Sequence, residues 1–172
     1  MSESPAMDRV DKILAQWNRE RPELNVAPMG LIGRISRLSL ILRSEMEKTW
    51  ATFGLNPASF DVLATLRRSG PPYRLSPGDL IASTMVTSGT MTNRIDKLVA
   101  AGLVERTPNP EDGRGFLIGL SEKGFTLIDE AVAAHVETQQ KLLADLSDAE
   151  REQLDNALRG FLEKIDVDDF PA

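Results

Sequence analysis

The fold is decided by residues 75–124, which read LSPGDLIASTMVTSGTMTNRIDKLVAAGLVERTPNPEDGRGFLIGLSEKG. Ser76 and Pro77 favour the start of a short helix, because serine caps a helix N-terminus and proline fits the first helical turn. Thr87 is a second N-cap, and it predicts a helix from Ser88 to Ala101 that ends at the following glycine. A short helix, a turn and a second helix are typical of a helix-turn-helix unit.

After this pair of helices the hydrophobic pattern changes from a helical period to short apolar runs. Leu103–Arg106 and Phe116–Leu120 predict two strands, and the residues between them, TPNPEDGRG, are rich in turn formers. The sequence therefore predicts a mainly α fold with a small β-hairpin wing, which is a winged helix-turn-helix.

Helical patterns flank this unit on both sides. Apolar residues at helical spacing predict helices before it, and Asn56-Pro57 begins another. Ser147 and Glu150 form a capping box at the start of the last helix. The predicted flanking helices are Met7–Arg19, Met29–Phe53, Glu122–Leu146 and Asp148–Ile165. The predicted parts are N-terminal helices (1–54), a winged helix-turn-helix DNA-binding domain (55–121) and C-terminal dimerisation helices (122–172).

The two terminal helices carry more apolar residues than a small winged domain can cover. This excess predicts a homodimer in which these two helices meet a second copy. The residues concerned are Phe125, Ile128, Val132, Val136, Leu142, Leu143, Leu154, Phe161, Leu162 and Ile165.

On a helical wheel, the helix that follows Thr87 turns Met91, Ile95 and Leu98 to one side, which predicts its buried face. The opposite side is small and polar, as entry into the major groove requires. An ordinary amphipathic surface helix is the alternative for this pattern, and a solvated loop charge is the alternative for the wing arginine. The predicted DNA-binding residues are Ser88, Gly89, Thr90, Asn93, Lys97 and Arg114.

Composition argues against several function classes. The chain has no cysteine, which excludes a thiol nucleophile and a disulfide. It has a single histidine, His135, so the usual ligands of a zinc site are lacking. The sequence contains no phosphate loop or dinucleotide motif, which argues against an enzyme and predicts no cofactor. It also contains no signal core and no bilayer-length apolar run, so we expect a cytoplasmic protein without a membrane partner.

The net charge of −6 is unevenly distributed along the chain. Residues 1–120 hold 15 Lys and Arg against 13 Asp and Glu, whereas residues 121–172 hold 5 against 13. Attraction between basic residues and phosphate supplies much of the affinity for DNA. A near-neutral winged domain therefore permits DNA binding but does not by itself indicate it. A helical dimeric adaptor that binds protein partners and not DNA therefore stays open as an alternative.

Several consecutive motifs resemble the MarR family of winged helix-turn-helix transcriptional regulators. They are TSGTMTNRIDKL, GLVER, the Asp112-x-Arg114 of the wing, and LSEKG. The resemblance implies a homodimer that binds a pseudo-palindromic operator in double-stranded DNA, acts as a repressor and is released by a small ligand. Gly113 departs from the pattern, because the family usually has another arginine there.

The extra N-terminal helix is similar to that of the urate-responsive subgroup of this family. The resemblance implies a pocket for a small anionic aromatic ligand such as urate, formed by Trp17, Asp61, Arg94 and Arg106. Trp17 would stack on a flat ring and Arg106 would pair with an anionic edge. We expect Asp61 to pair with one of the arginines without ligand. The alternatives are a phenolic or salicylate-like effector and a purely structural role for these residues. Separately, His135 is expected to be a helix-packing or interface residue.

Overall fold

The computed structural model describes residues 7–84, 88–110 and 115–165, with the backbone alone for 88–90. It comprises two compact units, Met1–Glu45 and Met46–Ala172. The fold is mainly helical with a small antiparallel sheet, which confirms the predicted fold class. The elements are α1 (Arg9–Glu20), α2 (Ala27–Thr52), α3 (Pro57–Arg68), β1 (Arg74–Leu75), α4 (Pro77–Ser83), α5 (Ser88–Ala100), β2 (Val104–Pro108), β3 (Phe116–Leu120), α6 (Glu122–Leu142) and α7 (Asp148–Leu162).

In the first unit, α1 packs closely against the N-terminal part of α2. A Cβ atom on Gly30 would lie 2.9 Å from the Leu14 side chain, so glycine permits this approach. Arg34 of α2 donates to the carboxylates of Asp8 (2.8 Å) and Asp11 (2.5 Å). The backbone amide of Asp11 and the Arg34 guanidinium lower the pKa of Asp8 to about 2. Asp8 caps α1, which explains why the helix begins later than predicted.

The core of the second unit lies between α3, α5, β3 and the first half of α6. Leu63 and Leu66 of α3 are fully buried, and so is Ile118 of β3. Ile128 of α6 is also fully buried in this cluster. Its assignment to a dimerisation surface was therefore wrong, because the first half of α6 packs on the winged unit of its own chain.

Two contacts fix the start of α6 in this unit. A Cβ atom on Gly124 would overlap the carbonyl oxygen of Leu103, so α6 touches the backbone of the turn before β2. The Arg67 guanidinium of α3 lies 4.6 Å from the Phe125 ring centroid and 2.8 Å from the Asp129 carboxylate. These contacts combine close backbone approach with a cation–π interaction.

The sheet has three strands in the order β1-β3-β2, whereas the sequence predicts two. Both pairings are antiparallel, with Arg74 opposite Gly119 and Arg106 opposite Ile118. The strand β1 is only two residues long and follows a proline-rich turn, so its own sequence has no strand pattern. It exists because β3 offers it a hydrogen-bonding edge.

The structure confirms most of the helix boundaries that the local start and stop signals predict. Asn56, Ser76 and Ser147 cap α3, α4 and α7 as predicted. Gly102, with φ of +69°, follows α5. α6 and α7 end at Leu142 and Leu162, several residues before the predicted ends. The predicted cap Thr87 lies outside the described residues. In the described ranges, no helix has the length and apolarity of a membrane span.

Candidate nucleic-acid interface and effector site

Helix α5, which the sequence predicts to be the DNA recognition helix, has one buried face and one solvent face. Met91, Ile95 and Leu98 are 1%, 2% and 3% exposed, as the helical wheel predicts. Asn93 and Lys97 lie on the opposite, exposed face. An asparagine amide can donate to and accept from a base edge, and a lysine can pair with a phosphate. The helix thus presents groups suited to a DNA groove.

The remaining predicted DNA-binding residues are described only in part. The backbone of Ser88, Gly89 and Thr90 forms the first turn of α5, and their side chains lie outside the described residues. Arg114 lies outside the described residues, as do Asp112 and Gly113. Their roles in DNA contact stay predictions.

Arg106 joins the wing strands to the recognition helix. Its guanidinium lies 2.5 Å from the Asp96 carboxylate of α5 and 5.2 Å from the Phe116 ring centroid of β3. Asp96 and Phe116 were not in the predicted ligand set. Asp96 and Arg106 are ten residues apart across a helix end and a turn, so no sequence spacing signals their contact.

Asp61 does not pair with either arginine of the predicted ligand set. The ion pair of Arg106 is with Asp96, and the described residues include no ion pair of Asp61 with Arg94 or Arg106. The expected pairing of Asp61 was wrong, because Asp96 approaches Arg106 from the adjacent helix. Asp61 is half-buried on α3.

Arg94 is half-buried at the flank of α5, and its Nη1 atom is buried without a hydrogen-bond partner in the described part of the chain. An unpaired buried donor is unfavourable, so this atom is suited to an acceptor from outside the described residues. Trp17 belongs to the first unit, where it lies on α1 and is 41% exposed. Its part in an effector site stays a prediction.

An aromatic cluster connects the end of α2 to α3 and α6. The Trp50 and Phe60 rings stack with centroids 4.8 Å apart, and the Trp50 Nε1–H donates to His135 Nδ1 at 3.2 Å. Burial lowers the pKa of His135. His135 thus has the helix-packing role expected from the sequence. The described residues contain no cluster of histidine and carboxylate groups fit to hold a metal ion.

The terminal helices expose large apolar side chains. α7 buries none of its residues in the described chain, and Leu154, Leu158, Phe161 and Leu162 are 39–58% exposed. In the first unit, Leu40 of α2 is 70% exposed. Monomeric proteins rarely leave such apolar surface open to water, which indicates that these faces meet another surface.

Comparison with known proteins agrees with this geometry. Residues 53–115 match the model of the MarR family. The chain is 41% identical over 155 residues to the HTH-type transcriptional regulator PecS of Dickeya dadantii, covering 90% of this chain and 93% of PecS.

Two solved structures are also similar to the chain. One is a mutant MarR from E. coli complexed with operator DNA, at 25% identity and a TM-score of 0.68, covering 85% of this chain and 97% of that one. The other is Bordetella bronchiseptica BpsR, whose DNA binding is regulated by 6-hydroxynicotinic acid, at 26% identity and a TM-score of 0.66, covering 80% and 95%. PecS is a transcriptional regulator and not an enzyme.

Proposed function

Because this chain belongs to the MarR family of DNA-binding transcriptional regulators, we propose that it is a homodimeric repressor of a pseudo-palindromic operator. A small anionic aromatic ligand such as urate releases it from DNA. Chromosomal DNA is the proposed target, so we expect it to act in the cytoplasm.

The observation that carries the DNA-binding part of the proposal is the two-sided character of α5. Its apolar side chains are buried in the core, so the helix cannot rotate without exposing them. Asn93 and Lys97 therefore stay on the solvent face, next to a sheet whose β2 and β3 lead into the wing. The MarR–operator structure is similar to this fold and was solved with DNA.

The homodimer is supported by the apolar residues that the single chain leaves exposed on α2 and α7. A second copy brings an identical apolar surface, and two-fold symmetry matches the symmetry of a palindromic site. In such a dimer, the two recognition helices would enter successive major grooves about 34 Å apart.

The effector part is supported by two arginines near α5. Arg94 has a buried Nη1 atom without a partner in the described chain, and Arg106 lies beside an aromatic ring. Guanidinium groups bind the planar carboxylate, enolate or carbonyl edges of flat anions. The regulation of BpsR by 6-hydroxynicotinic acid, a flat aromatic acid, is a relative's example of this ligand class.

Selection of bound duplexes from a random pool tests the DNA-binding part. We expect a palindromic consensus, and a steep fall in affinity as salt rises, because phosphate contacts release counterions. Asn93→Ala should weaken binding to the selected duplex by about 1–3 kcal/mol. It should also relax the base preference at one position of each half-site. If no duplex is bound at low salt, the protein is an adaptor for other proteins.

Titration of the protein–operator complex with urate and with salicylate tests the effector part. We expect release of the operator from the wild type and a weaker response from Arg106→Ala. Arg159→Ala is the matched control, since Arg159 also pairs with an aspartate but lies on α7. An unchanged operator affinity of the wild type at millimolar concentrations of both compounds would disprove the effector assignment.

A further inference from the structure

The Arg106 side chain contacts two neighbouring elements besides its own strand. It starts from β2, extends over the Phe116 ring of β3 and ends at the Asp96 carboxylate of α5. One side chain therefore links the proposed effector site with the recognition helix. The three elements meet at this polar contact on the surface, in addition to the β2–β3 strand pairing and the apolar core beneath it.

Asp96 lies on the exposed face of α5, between Asn93 and Lys97 in sequence, and its side chain is 55% exposed. This is the face that the proposed function directs to DNA. A bare carboxylate there would repel phosphate groups, because like charges within several ångströms of each other interact unfavourably. The Arg106 guanidinium at 2.5 Å offsets that charge. The ion pair thus makes an acidic residue tolerable on a DNA-facing surface.

An anion that binds Arg106 competes with Asp96 for the same group. The guanidinium lies over the Phe116 ring, 5.2 Å from its centroid, and a flat anion would bind to the edge that carries the N–H donors. A carboxylate and a bound anion on that edge would repel each other. This repulsion favours the exchange of one negative group for the other over the binding of both.

We propose that an anionic effector acts by replacing Asp96 as the partner of Arg106, which leaves an uncompensated carboxylate on the DNA-facing side of α5. This inference rests on the proposed function, since it explains how a ligand of that class lowers DNA affinity. The switch requires an exchange of partners and no large rearrangement of the core. Because the coupling is reciprocal, bound DNA should in turn weaken effector binding.

The test uses Asp96→Asn in the full-length protein, with Asp155→Asn as its control. Asp155 also pairs with an arginine, Arg159, at 2.7 Å, and both of these side chains are 67% exposed. Both variants lose one surface carboxylate, and exposed ion pairs contribute little to stability, so both should fold. Effector affinity is measured by calorimetry with urate and with salicylate, and operator affinity with the selected duplex.

We expect Asp96→Asn to bind the effector about 2–5-fold more tightly than the wild type, because the competing carboxylate is gone. We also expect a saturating effector to weaken operator binding by the wild type at least about fivefold, and by Asp96→Asn less than about twofold. Asp155→Asn should match the wild type in both measurements. Asp96→Glu keeps the charge and should also behave like the wild type.

Three outcomes would overturn the inference. If Asp96→Asn binds and responds to the effector like the wild type, the exchange is wrong and the proposed function stands. If Asp96→Glu behaves like Asp96→Asn, the changed effector response comes from the changed side-chain shape at this position and not from the lost charge. If the wild type and Asp96→Asn bind the operator but neither urate nor salicylate, the effector assignment fails and the exchange fails with it.

Discussion

His135 shows how one buried side chain makes stability depend on pH. Its Nδ1 atom accepts the Trp50 indole N–H, which only an unprotonated nitrogen can do. Burial lowers its pKa below the ordinary value of about 6.5. As pH falls through that ordinary value, the unfolded chain takes up a proton that the folded chain does not. The free energy of unfolding should therefore decrease, and above that range His135 should have no effect.

We predict that wild-type stability falls between pH 7.5 and 6.0 and that His135→Gln falls less over the same range. Glutamine can still accept the indole hydrogen bond and does not titrate. Urea unfolding at the two pH values measures both free energies, and contributions from carboxylates cancel in the difference between the proteins. Equal slopes for the two proteins would show that this imidazole is not responsible.

At the residue scale, the sequence identifies candidates better than it identifies their partners. Arg94 and Arg106 can be selected because the resemblance to the urate-responsive subgroup implies ligand-binding arginines at these positions. The ion-pair partner of Arg106 cannot be identified from the sequence. Asp61 and Asp96 are both candidates until the orientation of α5 against β2 is known. The difference matters, because Asp96 lies on the exposed face of α5, whereas Asp61 is half-buried on α3.

At the scale of single elements, two helical glycines should respond in opposite directions to the same substitution. Gly124 of α6 faces the Leu103 carbonyl oxygen, and an added methyl group would overlap it. We predict that Gly124→Ala destabilises the protein by more than about 3 kcal/mol, because the backbone itself has to move. Gly160 of α7 has no atom within 4 Å of the added methyl group in the described structure.

Gly160→Ala is the matched control, and it should stabilise the protein by up to about 1 kcal/mol through helix propensity. Denaturant midpoints of the two variants and the wild type measure both effects. A neutral Gly124→Ala would mean that α6 can move away from the turn without penalty, and that the position of α6 is set elsewhere.

The boundaries of elements are predictable where the signal is local. Asn56, Ser76 and Ser147 cap helices with their own side chains, so the caps can be found in the sequence. β1 depends entirely on a partner more than forty residues further along the chain, with Arg74 opposite Gly119, and its own two residues carry no pattern. Ile128 has the same apolar character as residues that stay exposed on α7, and only packing distinguishes them.

At the scale of the whole molecule, α7 is the element that most needs another surface. Leu158 is 42% exposed on a helix that buries none of its residues in this chain. We predict that Leu158→Glu converts the dimer into a monomer at micromolar concentration and lowers operator affinity at least about tenfold, because paired half-sites are lost. Light scattering after size-exclusion chromatography measures the mass.

Gln153→Glu adds the same charge to an exposed position of the same helix and should remain a dimer. If Leu158→Glu also remains a dimer and binds the operator like the wild type, the apolar face of α7 has another purpose. Composition alone predicts that a second copy is needed, since the excess of apolar side chains is visible in the sequence. It does not predict which side chains the chain covers by itself, because that depends on how α6 packs.

The central position of β3 has a consequence for how this protein can diversify. Both edges of that strand are occupied at Ile118 and Gly119, by β1 on one side and β2 on the other, and β2 continues to pair with it as far as Phe116. Residues beyond Pro108 and before Phe116 can thus change in number or charge while the strand pairs beneath them persist. Evolution can therefore vary the tip of this chain without first having to regain a stable scaffold.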